Sequence, residues 1–160
     1  MNAIDLLKLQ HREVEDLFGE LDEAGEGARW TKERLCREIS DRLAVHAEIE
    51  ERIFYPESKQ EDVEALLRES VDEHLAMKRL LAQIMESGAE GEQFLARMKV
   101  LQQQIGHHVE QEENELFPRV RQSCTEDEHD RLGARMERLA EELLEEGEPP
   151  SYEPHHPSPA

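Results

Sequence analysis

The chain has 160 residues, 39 of them Asp or Glu against 19 Lys or Arg, which gives a formal net charge of −20. A carboxylate surplus of this size excludes a nucleic-acid partner, which needs a basic stripe to neutralise phosphates, and it opposes docking on an anionic membrane. No apolar run approaches the roughly 20 residues of a transmembrane helix, and no basic stretch followed by a hydrophobic one opens the chain, so a cytoplasmic location is expected. The two cysteines, Cys36 and Cys124, stand far apart, which removes a zinc ribbon or a Cys-x-x-Cys redox pair from consideration; both are expected to be reduced and structural.

The length suits one domain, and a composition rich in Ala, Glu, Leu and Arg favours helices. The spacing predicts a first helix over 3–24, capped by Asn2, with Ile4, Leu7, His11, Val14, Phe18 and Leu21 on one stripe. Gly25 and Gly27 break it. Thr31 is expected to cap a second helix whose inner face reads Leu35, Ile39, Leu43, His46, Glu50 and then Ile53 or Phe54, and Pro56 is expected to end it. A third helix is expected over 62–87, bent near Ser70, with Leu67, Val71, His74, Leu81 and Ile84 turned inward. Past Gly88 and Gly91 a fourth carries Phe94, Met98, Leu101, Ile105, His108, Glu112 and Leu116 on one stripe, with a bend at Pro118. Thr125 and Glu128 form a capping box that opens a fifth helix to about residue 146, whose Leu132, Met136, Leu139 and Leu143 can pack on the outside or end of the bundle. From Glu148 onward, Pro149, Pro150, Pro154, Pro157 and Pro159 forbid a helix. The division expected is therefore a helical domain over 1–147 and a disordered tail over 148–160.

The chain also repeats itself. His46-x-x-x-Glu50 runs into Tyr55-Pro56, and His108-x-x-x-Glu112 runs into Phe117-Pro118; a slide of 62 positions superposes the two, and a slide of 63 puts His11 on His74. A His and a Glu four apart share a helical face, with about 5–6 Å between Cβ atoms, so both can reach one ion. A single inward histidine is most often a core residue bonded to a carbonyl, and a single Glu on a helix is most often solvated. Four inward histidines in register with two inward carboxylates are different, because a carboxylate buried without a cation costs several kcal/mol. Two equivalent half-sites of this kind suggest a dinuclear metal centre. Imidazole and carboxylate without thiolate suit iron, manganese or zinc. His107 is placed outside the centre, since only His108 has a carboxylate four residues on, whereas His107 faces Gln111. His129, in the first turn of the fifth helix, and His155 and His156 in the tail are assigned no role.

The order His11, His46-x-x-x-Glu50, His74, His108-x-x-x-Glu112, with its flanking stretches HAEIEERIFYP and HHVEQEENELFP, resembles the hemerythrin-like, or HHE cation-binding, family, and in particular its actinobacterial members. The resemblance runs from the opening AIDLLKLQHREVEDLF to about Phe117. It implies an all-α, up-and-down four-helix bundle around a non-haem di-iron centre. In that centre His11 and His46 would ligate one iron, His74 and His108 the other, and Glu50 and Glu112 would bridge them. With an oxo or hydroxo bridge each iron would have five donors and one open position, a place for dioxygen, peroxide or nitric oxide. The oxygen carriers of the family have a further histidine one turn after the ligand of the third helix; here that residue is Lys78. The difference favours catalase-like peroxide handling, or defence against peroxide and nitric oxide, over reversible dioxygen or nitric oxide binding, and over iron storage. Tyr55 reads either as a redox or hydrogen-bonding group beside the metals or as a packing aromatic matched to Phe117. A monomer is expected, with oligomers left open.

Overall fold

The computed structural model describes residues 1–25, 28–58 and 60–145; Gly27 and the stretch expected as a tail, with His155 and His156, lie outside the described residues. Among the described residues the architecture is all-α, with five long helices: α1 (Ala3–Ala24), α2 (Arg29–Ile49), α3 (Glu64–Ser87), α4 (Gly91–Gln111) and α5 (Glu126–Glu145). The first starts where the side chain of Asn2 accepts from the backbone N–H of Asp5 at 2.8 Å, and it stops at Gly25, whose φ of 67° is open to glycine at little cost. The capping box expected before α5 is formed: the Thr125 hydroxyl accepts from the N–H of Glu128, and the Glu128 carboxylate accepts from the N–H of Thr125, both at 3.2 Å. No helix among the described residues is long and apolar enough to cross a membrane.

Three local expectations need correction. Thr31 is not a cap, because α2 begins two residues earlier at Arg29. Val71 is exposed, and the inner face of α3 is completed by Ser70 and Met77 instead. Pro56 does not end its helix: α2 continues through a π-helical turn at Glu50–Phe54 into a short α-helical piece, Tyr55–Glu57. The same happens in the second half of the repeat, where α4 continues through a π turn at Glu112–Leu116 into Phe117–Ser123. In a regular turn the proline ring presses on the carbonyl four residues back, and a widened turn ahead of it relieves that crowding. The wider turn also shifts the inward stripe by one residue, so that Phe54 and Tyr55 are both buried, as are Leu116 and Phe117.

The core is divided into two apolar clusters. One gathers Val14, Phe18, Leu35, Ile39, Leu43, Met77, Leu81, Phe94, Met98, Leu101 and Ile105; the other gathers Ile4, Leu7, Ile49, Phe54, Leu67, Leu116 and Phe117 with Leu132 and Met136 of α5. Each of α1, α2, α3 and α4, taken with the π turns that continue α2 and α4, crosses from one cluster to the other near its histidine. Helix α5 lies against α1 and α2 and closes the second cluster. Gly133 is required there, since a Cβ at that position would stand 2.2 Å from the carbonyl oxygen of Met1 and 2.7 Å from the backbone carbon of Asn2. His129, expected to be unremarkable, is buried on the same helix, and neither ring nitrogen has a hydrogen-bond partner among the described residues.

Candidate metal centre

Between the two apolar clusters the bundle contains a polar layer. His11, His46, His74, His108, Glu50 and Glu112 are all at least 94% buried, and they come from four different helices. The histidines form two neighbouring pairs: the rings of His11 and His46 are 4.9 Å apart, and those of His74 and His108 are 4.7 Å apart, with their Nε2 atoms 3.2 Å from one another. Each glutamate reaches both pairs. Glu50 Oε1 lies 3.1 Å from Nε2 of His46 and 3.1 Å from Nε2 of His74, and Glu112 Oε1 lies 3.2 Å from Nε2 of His11 and 3.2 Å from Nε2 of His108. All four Nε2 atoms therefore converge on two shared carboxylates.

The outward nitrogen of each ring is held as well. His11 Nδ1 is 2.7 Å from Glu113 Oε2, His46 Nδ1 is 2.7 Å from Gln10 Oε1, His74 Nδ1 is 3.2 Å from Glu51 Oε2, and His108 Nδ1 is 2.9 Å from Glu73 Oε1. An acceptor at Nδ1 fixes the proton there and leaves Nε2 bare for an ion, while raising the donor strength of the ring. These four partners were not anticipated from the sequence, yet each adjoins a predicted site residue, and the repeat relates them: Glu51 slides onto Glu113 and Gln10 onto Glu73. Arg12 clamps Glu113 from outside, at 2.5 and 2.7 Å.

Tyr55 both packs and makes a hydrogen bond. It belongs to the second apolar cluster, and its hydroxyl donates to Glu112 Oε2 at 2.8 Å and lies 3.4 Å from His74 Nε2. Burial and then the neighbouring Glu112 and Glu50 charges hold its pKa well above the usual phenol value, so the proton stays on the hydroxyl. Its counterpart Phe117 stacks on His11 at 6.0 Å. Lys78 follows His74 by one turn and is half-buried. His107 is exposed and faces outward, 3.4 Å from Glu73 Oε2, where with Glu69 it forms a surface trio apart from the buried six.

The histidines and glutamates of this layer shift one another's pKa values. Burial alone would lower the pKa values of His11, His74 and His108, but hydrogen bonds to and charges on Glu50 and Glu112 outweigh it and raise all three, His74 to about 9. For Glu50, burial opposes ionisation, and the charge of His46 with hydrogen bonds from its neighbours overcomes it, holding the carboxyl well below the usual range. Even so, His46 Nε2 and Glu50 Oε2 are buried without a hydrogen-bond partner. Four imidazoles and two carboxylates with no thiolate fit iron, manganese or zinc, and His46, Glu50, His108 and Glu112 each offer a donor atom within 4.8 Å of the others. On one side of the layer a cavity of about 20 Å³ is walled by the four histidine rings and by Val14, Leu43, Met77 and Ile105.

The chain is 32% identical over 125 residues to a DNA nickase from Nostoc sp., an alignment that takes in 78% of this chain and 35% of that protein, so the chain spans about a third of that relative's length. Its fold is similar to the crystal structure of a hemerythrin HHE cation binding domain-containing protein, the Rv2633c homolog from Mycobacterium kansasii, with a TM-score of 0.76, 22% identity and 91% of each chain covered. Residues 2–120 match the Hemerythrin HHE cation binding domain, a span that contains all six buried His and Glu residues, and the chain belongs to this family.

Proposed function

We propose that the buried layer holds two iron ions through His11, His46, Glu50, His74, His108 and Glu112, and that the chain uses them to consume small oxidants, in the first place peroxide. The convergence of both histidine pairs on the shared oxygens of Glu50 and Glu112 supports a two-ion centre with these carboxylates between the ions. The observation that carries the choice of substrate is the cavity of about 20 Å³ against the four histidine rings, room for a molecule of about water's size or a little more. When bound, an iron pair supplies electrons and a coordination position for such a molecule. The chain's own residues do the rest. The Nδ1 partners keep the four Nε2 atoms aimed inward, Val14, Leu43 and Met77 exclude bulk water, and Tyr55 holds Glu112 in place through a proton it does not release. Lys78, where the carriers have a further histidine, supports turnover over storage of dioxygen.

DNA nicking is not carried over to this chain: the shared part is 35% of the Nostoc protein, and a net charge of −20 repels a phosphate backbone. Oxygen evolution from peroxide by the iron-loaded protein tests the proposal. Many equivalents of peroxide consumed per centre, with half an equivalent of dioxygen for each, is the expected result. Reaction with a single equivalent and no oxygen would favour reversible binding or sensing of dioxygen or nitric oxide and overturn the catalase-like reading.

A further inference from the structure

The two halves of the centre differ at Tyr55 and Phe117, and again at Gln10 and Glu73. Each accepts from the Nδ1 of a site histidine, Gln10 from His46 and Glu73 from His108, but one is a neutral amide and the other a carboxylate. Gln10 has a second distinction. It lines the inner cavity beside the histidines, and it also lines an outer pocket of about 300 Å³ bounded by α1, α2 and α5. Helix geometry explains how one residue meets both. On α1, Glu13 faces the outer pocket and His11 and Val14 face the inner cavity; on α2, Arg42 and Val45 face out and Leu43 and His46 face in. The side chain of Gln10 fills the seam between them.

We infer that Gln10 is the gate through which small uncharged molecules pass from the outer pocket to the centre. This rests on the reading that the centre meets small oxidants. Opening requires only that the Gln10 side chain turn away from His46, which breaks one neutral hydrogen bond and moves no backbone; side-chain rotation of this kind takes nanoseconds. A carboxylate would serve poorly. It would bind the imidazole N–H more tightly, and it would add to Glu13, Glu38 and Asp41, which already line the outer pocket, where burial raises the pKa of Asp41. Glu13 is paired there with Arg42 and Glu38 with Arg34, so the route selects by size rather than by charge. Glu73 on the other half is held by His107 as well as His108.

Nitric oxide binding to the reduced, iron-loaded protein, followed by stopped-flow absorbance in both directions, tests the gate. Val45→Trp fills the floor of the outer pocket and Leu144→Trp narrows its mouth. A residue on the path changes neither end state, so either variant should slow association and dissociation by the same factor, about tenfold, and leave Kd where it was. Gln10→Ala should raise the association rate. Unchanged rates in Val45→Trp and Leu144→Trp overturn the gate, and so does a change confined to dissociation, which would mean that these residues act on the bound state. If Val45→Trp does not fold, Leu144→Trp, at a position 60% exposed, decides alone. If the wild-type protein takes up no nitric oxide, the premise that the outer pocket admits small uncharged molecules to the centre fails and the gate falls with it, while oxygen evolution from peroxide decides the functional reading separately; uptake with rates indifferent to the outer pocket refutes the gate alone.

Discussion

Metal loading should expel protons, and the amount can be worked from His74. In the metal-free protein its pKa stands at about 9 rather than 6.5, because Glu50 and Glu51 outweigh the effect of burial. An ion needs the bare Nε2, so at pH 7.5 it has to displace that proton, which with a pKa of about 9 costs about 2 kcal/mol at about 1.4 kcal/mol per pH unit. Below pH 9 the apparent affinity should therefore rise about tenfold per pH unit for this one proton, with His11 and His108 adding in the same direction. The stability of the metal-free protein moves the other way. A raised histidine pKa stabilises fully below pH 6.5, and that contribution is lost as pH climbs through about 9. The depressed carboxyl of Glu50 stabilises above its usual 4.5, and that contribution is lost as pH falls below it. Metal-free Tm should thus peak between about pH 4.5 and 6.5 and then decline, while the advantage of the metal-loaded protein widens up to pH 9. Titration calorimetry at pH 7.5 in two buffers of different ionisation enthalpy counts the protons directly. At least one released per chain is expected; none released, together with an affinity flat from pH 6.5 to 9, would refute the argument.

Glu73→Gln keeps an acceptor for His108 Nδ1 but removes its charge, and it should weaken metal retention by about 10- to 100-fold with the fold intact, read by competition with a chelator. Lys78→His shares the face of His74 and offers another imidazole; peroxide consumption should slow and an oxygenated form should live longer at equal iron content, whereas identical rates and spectra would show that residue 78 does not reach the metal. Gly133→Ala forces α5 away from the backbone of Met1 and Asn2, at a cost of about 1–3 kcal/mol in a denaturant melt, without loss of metal.

The buried six were legible because each replaces an apolar residue on a stripe whose remaining members are plainly hydrophobic; His11 between Leu7 and Val14 is the clearest case. Register then did what composition could not, since only His108, and not its neighbour His107, matches His46 over the 62-residue slide. The failures have a common origin in local signals overruled by packing. Pro56 reads as a stop, but a π turn absorbs it and the helix runs on to Glu57. Val71 reads as core, but Ser70 takes the inward place on α3. Gln10, Glu51, Glu73 and Glu113 were invisible as a set because polar residues on a helix are ordinarily solvated, and only the distance to an Nδ1 atom separates these four from the many others. Gly133 gave no hint either, since its need for a missing Cβ arises from the far end of the chain.

The central claim is a two-iron centre built on these six side chains. Metal analysis and a Mössbauer spectrum of the protein loaded with 57Fe test it together, with His46→Ala and His107→Ala measured alongside. The account requires two irons per chain, magnetically coupled, as two ions sharing carboxylates should be; His46→Ala should lose most of the metal and His107→Ala should keep it. A single uncoupled iron, or metal lost with His107→Ala and kept with His46→Ala, would contradict it.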